Sequence, residues 1–226
     1  MKKTLFTLAV DGYAPEITAL TFPLFERYAD KIGADFHIIT ERKFPEFPPV
    51  YEKLQIHELG REMGNDWNIF LDADALVHPD MFDVTAHLSK DTVFHHGTDP
   101  ASLRFRPDRF FHRDGRNIGS CNWCTIASDW CIDLWKPLAD LTLEQATANI
   151  FPTANELACD AKISRCHLID DYTLSRNIAQ NGFKVQTLGD VMKRFNFNAS
   201  LFWHAYTMTR EQKVVKMKEE LVKWKV

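Results

Sequence analysis

The chain has 226 residues, of which 45% are hydrophobic and 26% charged, and a formal net charge of -4. That length can build a substantial core in one domain, and the composition excludes a disordered chain and a disulfide-scaffolded miniprotein. The acidic balance argues against a general nucleic-acid binder, and five cysteines, an odd number, fit a reducing compartment, which makes the cytoplasm the expected location.

The opening MKKTLFTLAVDGYA has the charge of a secretory leader, but its apolar run is short and Asp11 interrupts it. Thr4 to Val10 reads instead as a first strand, and DGYAP supplies a turn with Pro15 at a helix start. Ile17, Leu20, Leu24 and Tyr28 form one apolar stripe at helical spacing, with Pro23 as a kink point and Gly33 as the stop. Ala34 to Thr40 reads as a second strand. FPEFPPV, Phe44 to Val50, is a rigid connector because its three prolines remove backbone donors. A helix is expected from Tyr51 to Met63, with Ile56, Leu59 and Met63 on one face, ended by the Gly64-Asn65-Asp66 turn.

NIFLDADALV, Asn68 to Val77, then places a non-alternating apolar run before two aspartates. Ile69, Phe70 and Leu71 suit a strand covered on both faces. Asp72 and Asp74, two apart on an extended chain, would share a face where the strand leaves the core. Such a carboxylate pair suits Mg²⁺ or Mn²⁺ and leaves coordination positions for phosphate oxygens; a solvated strand end is the plainer alternative. The alternation to this point is βαβαβ, which predicts an α/β, Rossmann-like doubly wound, mostly parallel sheet whose ligands sit at the carboxyl ends of the strands. Asp11 and Tyr13 leave strand one at that same edge, as candidates for nucleotide contacts or as ordinary turn residues.

Thr92 to His96 reads as a short strand, followed by an irregular stretch, 97–116, that interleaves five arginines with Phe105, Phe110 and Phe111. Such a loop suits phosphate, an acidic acceptor or plain solvent. NIGSCNWCTIAS, Asn117 to Ser128, is a turn entering a strand, and a helix from Asp129 to about Lys136 follows. The CNWC quartet has no second ligand pair at zinc spacing, so packed thiols are the better reading. IDDYTLSRNIAQNGFKV, Ile169 to Val185, offers Asp170 or Asp171 as a cap on a helix ending at Gly182, or as a catalytic carboxylate at a helix N-terminus. His204 lies among aromatics. From about 208 to 226 the chain is basic and amphipathic, with Val214, Met217, Leu221 and Trp224 on one stripe that can pack on its own domain or touch anionic membrane. No apolar run approaches transmembrane length.

Together these stretches resemble the GT-A glycosyltransferases over nearly the whole chain. YEKLQIHELG feeding FLDADALVHPDMFD is similar to the glycogenin-like and related galactosyltransferase families, whose equivalent aspartates form the DxD motif. Asp170-Asp171 with Leu174, Ile178, Gly182 and Phe183 match the spacing of the xED helix in the large inverting family that includes polysaccharide synthases. Asp170 stands there in place of the usual Glu, and Asn177 where that family often has Arg. His204 stands where GT-A enzymes often place a third metal ligand.

The resemblance implies a single GT-A domain over 1–226 and transfer of a sugar from a nucleotide diphosphate-sugar, UDP-sugar favoured and GDP-sugar possible, to a hydroxyl of a glycan, glycolipid or glycoprotein. It implies a Mn²⁺ (or Mg²⁺) site at Asp72, Asp74 and His204, donor contacts at Val10, Asp11, Tyr13, Lys53, Asp72 and Ala73, Asp171 as the base for an inverting reaction, and Asp170 beside the acceptor or behind it. The glycogenin-like half points to retention and the second half to inversion, and inversion is the expectation adopted. Two rivals stand beside this reading. A haloacid-dehalogenase-like phosphatase would use Asp72 and Asp74 on phosphorus, though its motif normally lies on the first strand; a non-catalytic nucleotide-sugar-binding module would bind without turnover.

Overall fold

The computed structural model describes residues 1–96, 123–151, 168–195, 202–204 and 208–226. The arginine-rich stretch 97–116, the Asn117–Asn122 turn, Cys121, Cys159 and Cys166 lie outside the described residues.

Six strands form one sheet in the order β2-β1-β3-β6-β5-β7: β1 (Lys3–Leu8), β2 (Asp35–Ile39), β3 (Trp67–Leu71), β5 (Thr92–His95), β6 (Cys124–Ser128) and β7 (Lys184–Thr187). All adjacent pairs are parallel except those that β6 makes with β3 and β5. Two short strands, β4 (Ala75–Val77) and β8 (Phe202–His204), form a separate antiparallel ribbon. The expected mostly parallel α/β sheet is present.

Period-two alternation along the central strands sorts their side chains onto two faces. Leu5, Ile69, Leu71, Phe94 and Ile126 join one apolar cluster, whereas Phe6, Phe70, Val93 and Ala127 join the other. The first cluster is covered by α1 (Pro15–Ile32), by the β4–β8 ribbon and by Met217 of the C-terminal helix. The second is covered by Tyr51 and Leu54 of a 3₁₀ segment, by Trp135 and by the central helix Ile169–Asn181. Among the described residues the helices after α1 are, in chain order, α2 (Ile56–Glu62), α3 (Leu143–Ala148), α4 (Ile169–Asn181), α5 (Leu188–Phe195) and α6 (Arg210–Trp224).

α1 starts at Pro15 and stops at Gly33, whose left-handed φ of 66° only glycine adopts without strain. Pro23 sits inside it on the exposed face. Four expectations need correction. The helix expected over Tyr51–Met63 is a 3₁₀ helix, Pro49–Gln55, followed by the shorter α2, because Tyr51, Glu52, Lys53 and Leu54 are all buried and no single α-helical face can bury four consecutive residues. The helix expected from Asp129 is also 3₁₀, Asp129–Trp135, with non-helical backbone at Cys131. Neither Asp170 nor Asp171 caps α4: Leu168 is the cap residue, without a side-chain bond, and both aspartates lie in the first turn. Finally, Asp72 to Asp74 is a turn rather than extended strand, closed by the Ala75 amide donating to the Asp72 carbonyl at 2.9 Å.

Candidate functional site

The turn between β3 and β4 lies at the carboxyl edge of β3, next to the start of the antiparallel β6. The Asp72 amide donates to the Trp123 carbonyl at 2.8 Å, which pins the turn to β6. β4 pairs with β8 so that Ala75 faces His204, which sets the imidazole beside the neighbouring Asp74. His204 Nε2 lies 3.0 Å from Asp74 Oδ1 and 3.9 Å from Asp72 Oδ2. Asp72, Asp74 and His204 thus offer one ligand atom each, all within 4.8 Å of one another. The imidazole also stacks on Trp123, centroids 5.0 Å apart and planes 19° apart, and Trp123 in turn meets His96 at 4.3 Å. Trp123 is buried, so this stack fixes the ring plane of His204.

A lysine meets each aspartate, and the two lysines come from opposite sides of the sheet. Lys53, on the 3₁₀ segment, is 1% exposed; its Nζ lies 3.2 Å from Asp72 Oδ1 and 2.8 Å from Asp170 Oδ2, and over the Phe70 ring at 4.6 Å. Desolvation alone would lower this lysine's pKa, but Asp170 and Asp72 outweigh it and raise it, so the ammonium is fixed. Lys213, on α6, reaches Asp74 Oδ2 and is 19% exposed. The hydroxyl of Tyr13 also bonds Asp74; burial first, then the charges of Asp74 and Asp72, raises its pKa, so it remains a donor.

The aspartates respond in opposite directions. For Asp74, burial works to raise the pKa, but the bond and charge of His204 and the charge of Lys213 prevail and hold it below the ordinary carboxylate range. For Asp72, burial is the largest influence and raises the pKa, with Asp74 and Asp170 adding and Lys53 and His204 opposing.

Val10, Asp11, Tyr13, Asp72 and Ala73 all leave β1 or β3 at the same edge. Asp11 and Ala14 hold φ of 55° and 27°, a left-handed backbone that L residues rarely adopt, and this sharp loop brings Tyr13 to Asp74. Asp11 pairs with Arg42 at 2.9 Å, and Arg42 is held by the fully buried Glu52 at 2.8 Å. Asp170 enters the network through Lys53, and Asp171 beside it is 1% exposed.

The carboxylate oxygens and imidazole nitrogen of Asp72, Asp74 and His204 suit Mn²⁺ or Mg²⁺, with the imidazole better matched to Mn²⁺. No protein-family model and no curated protein matches the sequence. Among solved structures, the chain is similar to a glycosyltransferase involved in the glycosylation of the major capsid of PBCV-1, with a TM-score of 0.54 and 12% identity over 96% of this chain and 100% of that one. The chain shares that neighbour's fold, an α/β, GT-A-like, mostly parallel sheet flanked by helices. A197 from STIV also aligns, at 17% identity over 62% of this chain and 70% of that one, but its TM-score of 0.38 is too low to bear on the fold.

Within this GT-A frame, sequence reading missed Lys213 and Trp123. Lys213 is 139 residues from Asp74, so no local spacing signals it. Trp123 lies inside CNWC, a quartet whose chemical signal comes from its cysteines.

Proposed function

We propose that the protein is a metal-dependent glycosyltransferase that moves a sugar from a nucleotide diphosphate-sugar to a hydroxyl of a glycan, glycolipid or glycoprotein, with inversion. The observation that carries this reading is the grouping of Asp72, Asp74 and His204 within 4.8 Å at the carboxyl edge of a GT-A sheet, where α/β folds bind their ligands. A UDP-sugar is the favoured donor and a GDP-sugar the alternative, a preference taken from the family resemblance.

In this reading Asp74 and His204, with Asp72, hold Mn²⁺ or Mg²⁺. A divalent ion there supplies charge neutralisation for the departing diphosphate. Lys53, expected at the donor, acts on it in this reading through Asp72, which it holds at 3.2 Å, and Trp123 orients His204. Val10, Asp11, Tyr13 and Ala73 line the strand ends where the nucleoside would lie. Asp171, in the first turn of α4, takes the proton from the acceptor hydroxyl as its oxygen attacks the anomeric carbon. Its 1% exposure means that the arriving acceptor must uncover it. Asp170, held by Lys53, fixes this turn.

No helix among the described residues is long and apolar enough to cross a membrane. The apolar stripe of α6 packs inward, with Met217 buried and Val214, Leu221 and Trp224 against the same core. Peripheral contact with an anionic membrane would therefore use its outward lysines, Lys216, Lys218, Lys223 and Lys225. A cytoplasmic location is favoured by the odd number of five cysteines.

A thermal-shift panel of UDP, GDP, CMP and their sugars, with and without Mn²⁺, tests the reading. Stabilisation by one nucleoside diphosphate that needs Mn²⁺, and disappears in Asp74→Ala, is the expected result. No response to any of them would remove the transferase reading.

A further inference from the structure

The two lysines at the aspartate turn are not equivalent. Lys53 is 1% exposed and holds two carboxylates at once, Asp72 at 3.2 Å and Asp170 at 2.8 Å, so it cannot leave without stranding buried charge. Lys213 is 19% exposed, stands on the first turns of α6, and contacts the Oδ2 of Asp74, while His204 contacts the Oδ1. Asp74 therefore has both oxygens engaged, one of them by a positive charge at the rim. A divalent cation bound by Asp72, Asp74 and His204 would sit against that ammonium, and like charges at such separation repel.

We propose that Lys213 is a further functional residue of this site: a resident counter-cation that competes with the divalent metal for Asp74 and is released from it when the metal binds. The inference rests on the metal reading of the site given above. Lys213 sets a positive charge against Asp74 Oδ2, and its long stem lets the ammonium swing outward without moving α6, whose Met217 stays in the core. Its effect on metal affinity is then opposite in sign to that of a structural residue. Removing a structural support loosens the ligands and weakens metal binding, whereas removing a competitor strengthens it.

The test measures Mn²⁺ affinity of the full-length chain by calorimetry for the wild type, Lys213→Met and Lys213→Arg. Lys213→Met should bind Mn²⁺ more tightly, on the order of five- to tenfold for loss of one charge at a partly exposed site, while Lys213→Arg stays near the wild type. Equal or weaker binding by Lys213→Met would overturn the proposal. Absence of Mn²⁺ binding by the wild type would instead refute the metal reading itself. A second measurement uses the wild type alone: amine labelling with mass spectrometry, with Lys216 on the same helix as the internal reference. Mn²⁺ should raise the labelling of Lys213 relative to Lys216 at least twofold; an unchanged or lowered ratio counts against release.

Discussion

Asp72 and Asp74 are two residues apart in one turn, yet each is answered from a different layer of the fold. Asp72 meets Lys53 from the layer that contains the 3₁₀ segment and α4, and Asp74 meets Lys213 from the layer that contains α1 and α6. The Lys53 side is closed, tied to Asp170 and capped by Phe70. The Lys213 side is at the rim. Lys53, dry and bound to two carboxylates, behaves as a fastening between sheet and helix, whereas Lys213, partly exposed at the rim, can exchange partners although Asp74 itself is buried. Two chemically identical residues thus differ in use because of where their counter-charges come from.

That contrast is most exposed to failure in the stability of two lysine variants. Lys53→Met leaves the Asp170 carboxylate, 1% exposed, without this ammonium, and should lower unfolding stability by about 3–5 kcal/mol. Lys213→Met, which leaves the buried Asp74 bonded to His204 and Tyr13, should lose less, about 1–2 kcal/mol. Urea denaturation measures both, and equal losses would erase the distinction between a closed and an open side.

The closed side also carries the proposed base. Asp171→Asn should reduce transfer about 100-fold or more, the usual contribution of general-base catalysis, while changing nucleoside diphosphate affinity less than twofold. Single-turnover transfer and a binding titration separate the two, and a variant with undiminished transfer would remove Asp171 from the mechanism.

A smaller effect sharpens the packing that holds the closed side. Gly60 of α2 lies against β3 so tightly that an added Cβ would meet Asn68 Oδ1 at 2.5 Å and Ile132 Cδ1 at 3.0 Å. Asn68 is fully buried and accepts from Asn65 Nδ2 at 3.0 Å, so it has little room to yield. Gly60→Ala should therefore destabilise by about 1–3 kcal/mol, despite alanine's better helix propensity. A denaturation midpoint equal to or above that of the wild type would show that α2 stands off the sheet.

Most subtle is the difference in acid response without metal. Asp74 has a folded pKa below its unfolded value of about 3.9, so it contributes stability that is present above that value and lost as pH falls toward the folded pKa. Asp72 has a raised folded pKa, so its ionisation opposes folding at neutral pH, and that opposition is relieved as pH falls. Asp74→Asn should lower the Tm at pH 7 and flatten its acid decline below about pH 4. Asp72→Asn should change the Tm at pH 7 in the opposite direction. Shifts of the same sign in both variants would contradict the assignment.

Much of this architecture was legible in the sequence, for a physical reason in each case. The unbroken apolar run of β3 announced a strand buried on both faces, and Gly33 and Gly182 marked helix ends because a left-handed residue was needed there. The aspartate pair was visible, but its geometry was not: a turn rather than an alternating strand brings the two carboxylates to His204. The burial of Glu52 and Lys53 was not legible, because charged side chains are seldom buried unless paired, and their partners Arg42 and Asp170 are recognisable only once the chain has folded. The stripe on α6 predicted its inward face correctly. Lys213 lies off that stripe, toward the start of the helix, where sequence periodicity carries no information about what stands opposite.

The most direct test of the central claim is the anomalous-scattering map of crystals of the wild-type protein soaked in Mn²⁺. The account predicts one strong peak at the β3–β4 turn, within coordinating distance of Asp74 and His204 Nε2 and adjacent to Asp72. No peak there, or an ion held by other residues while these three keep their mutual contacts, would contradict it.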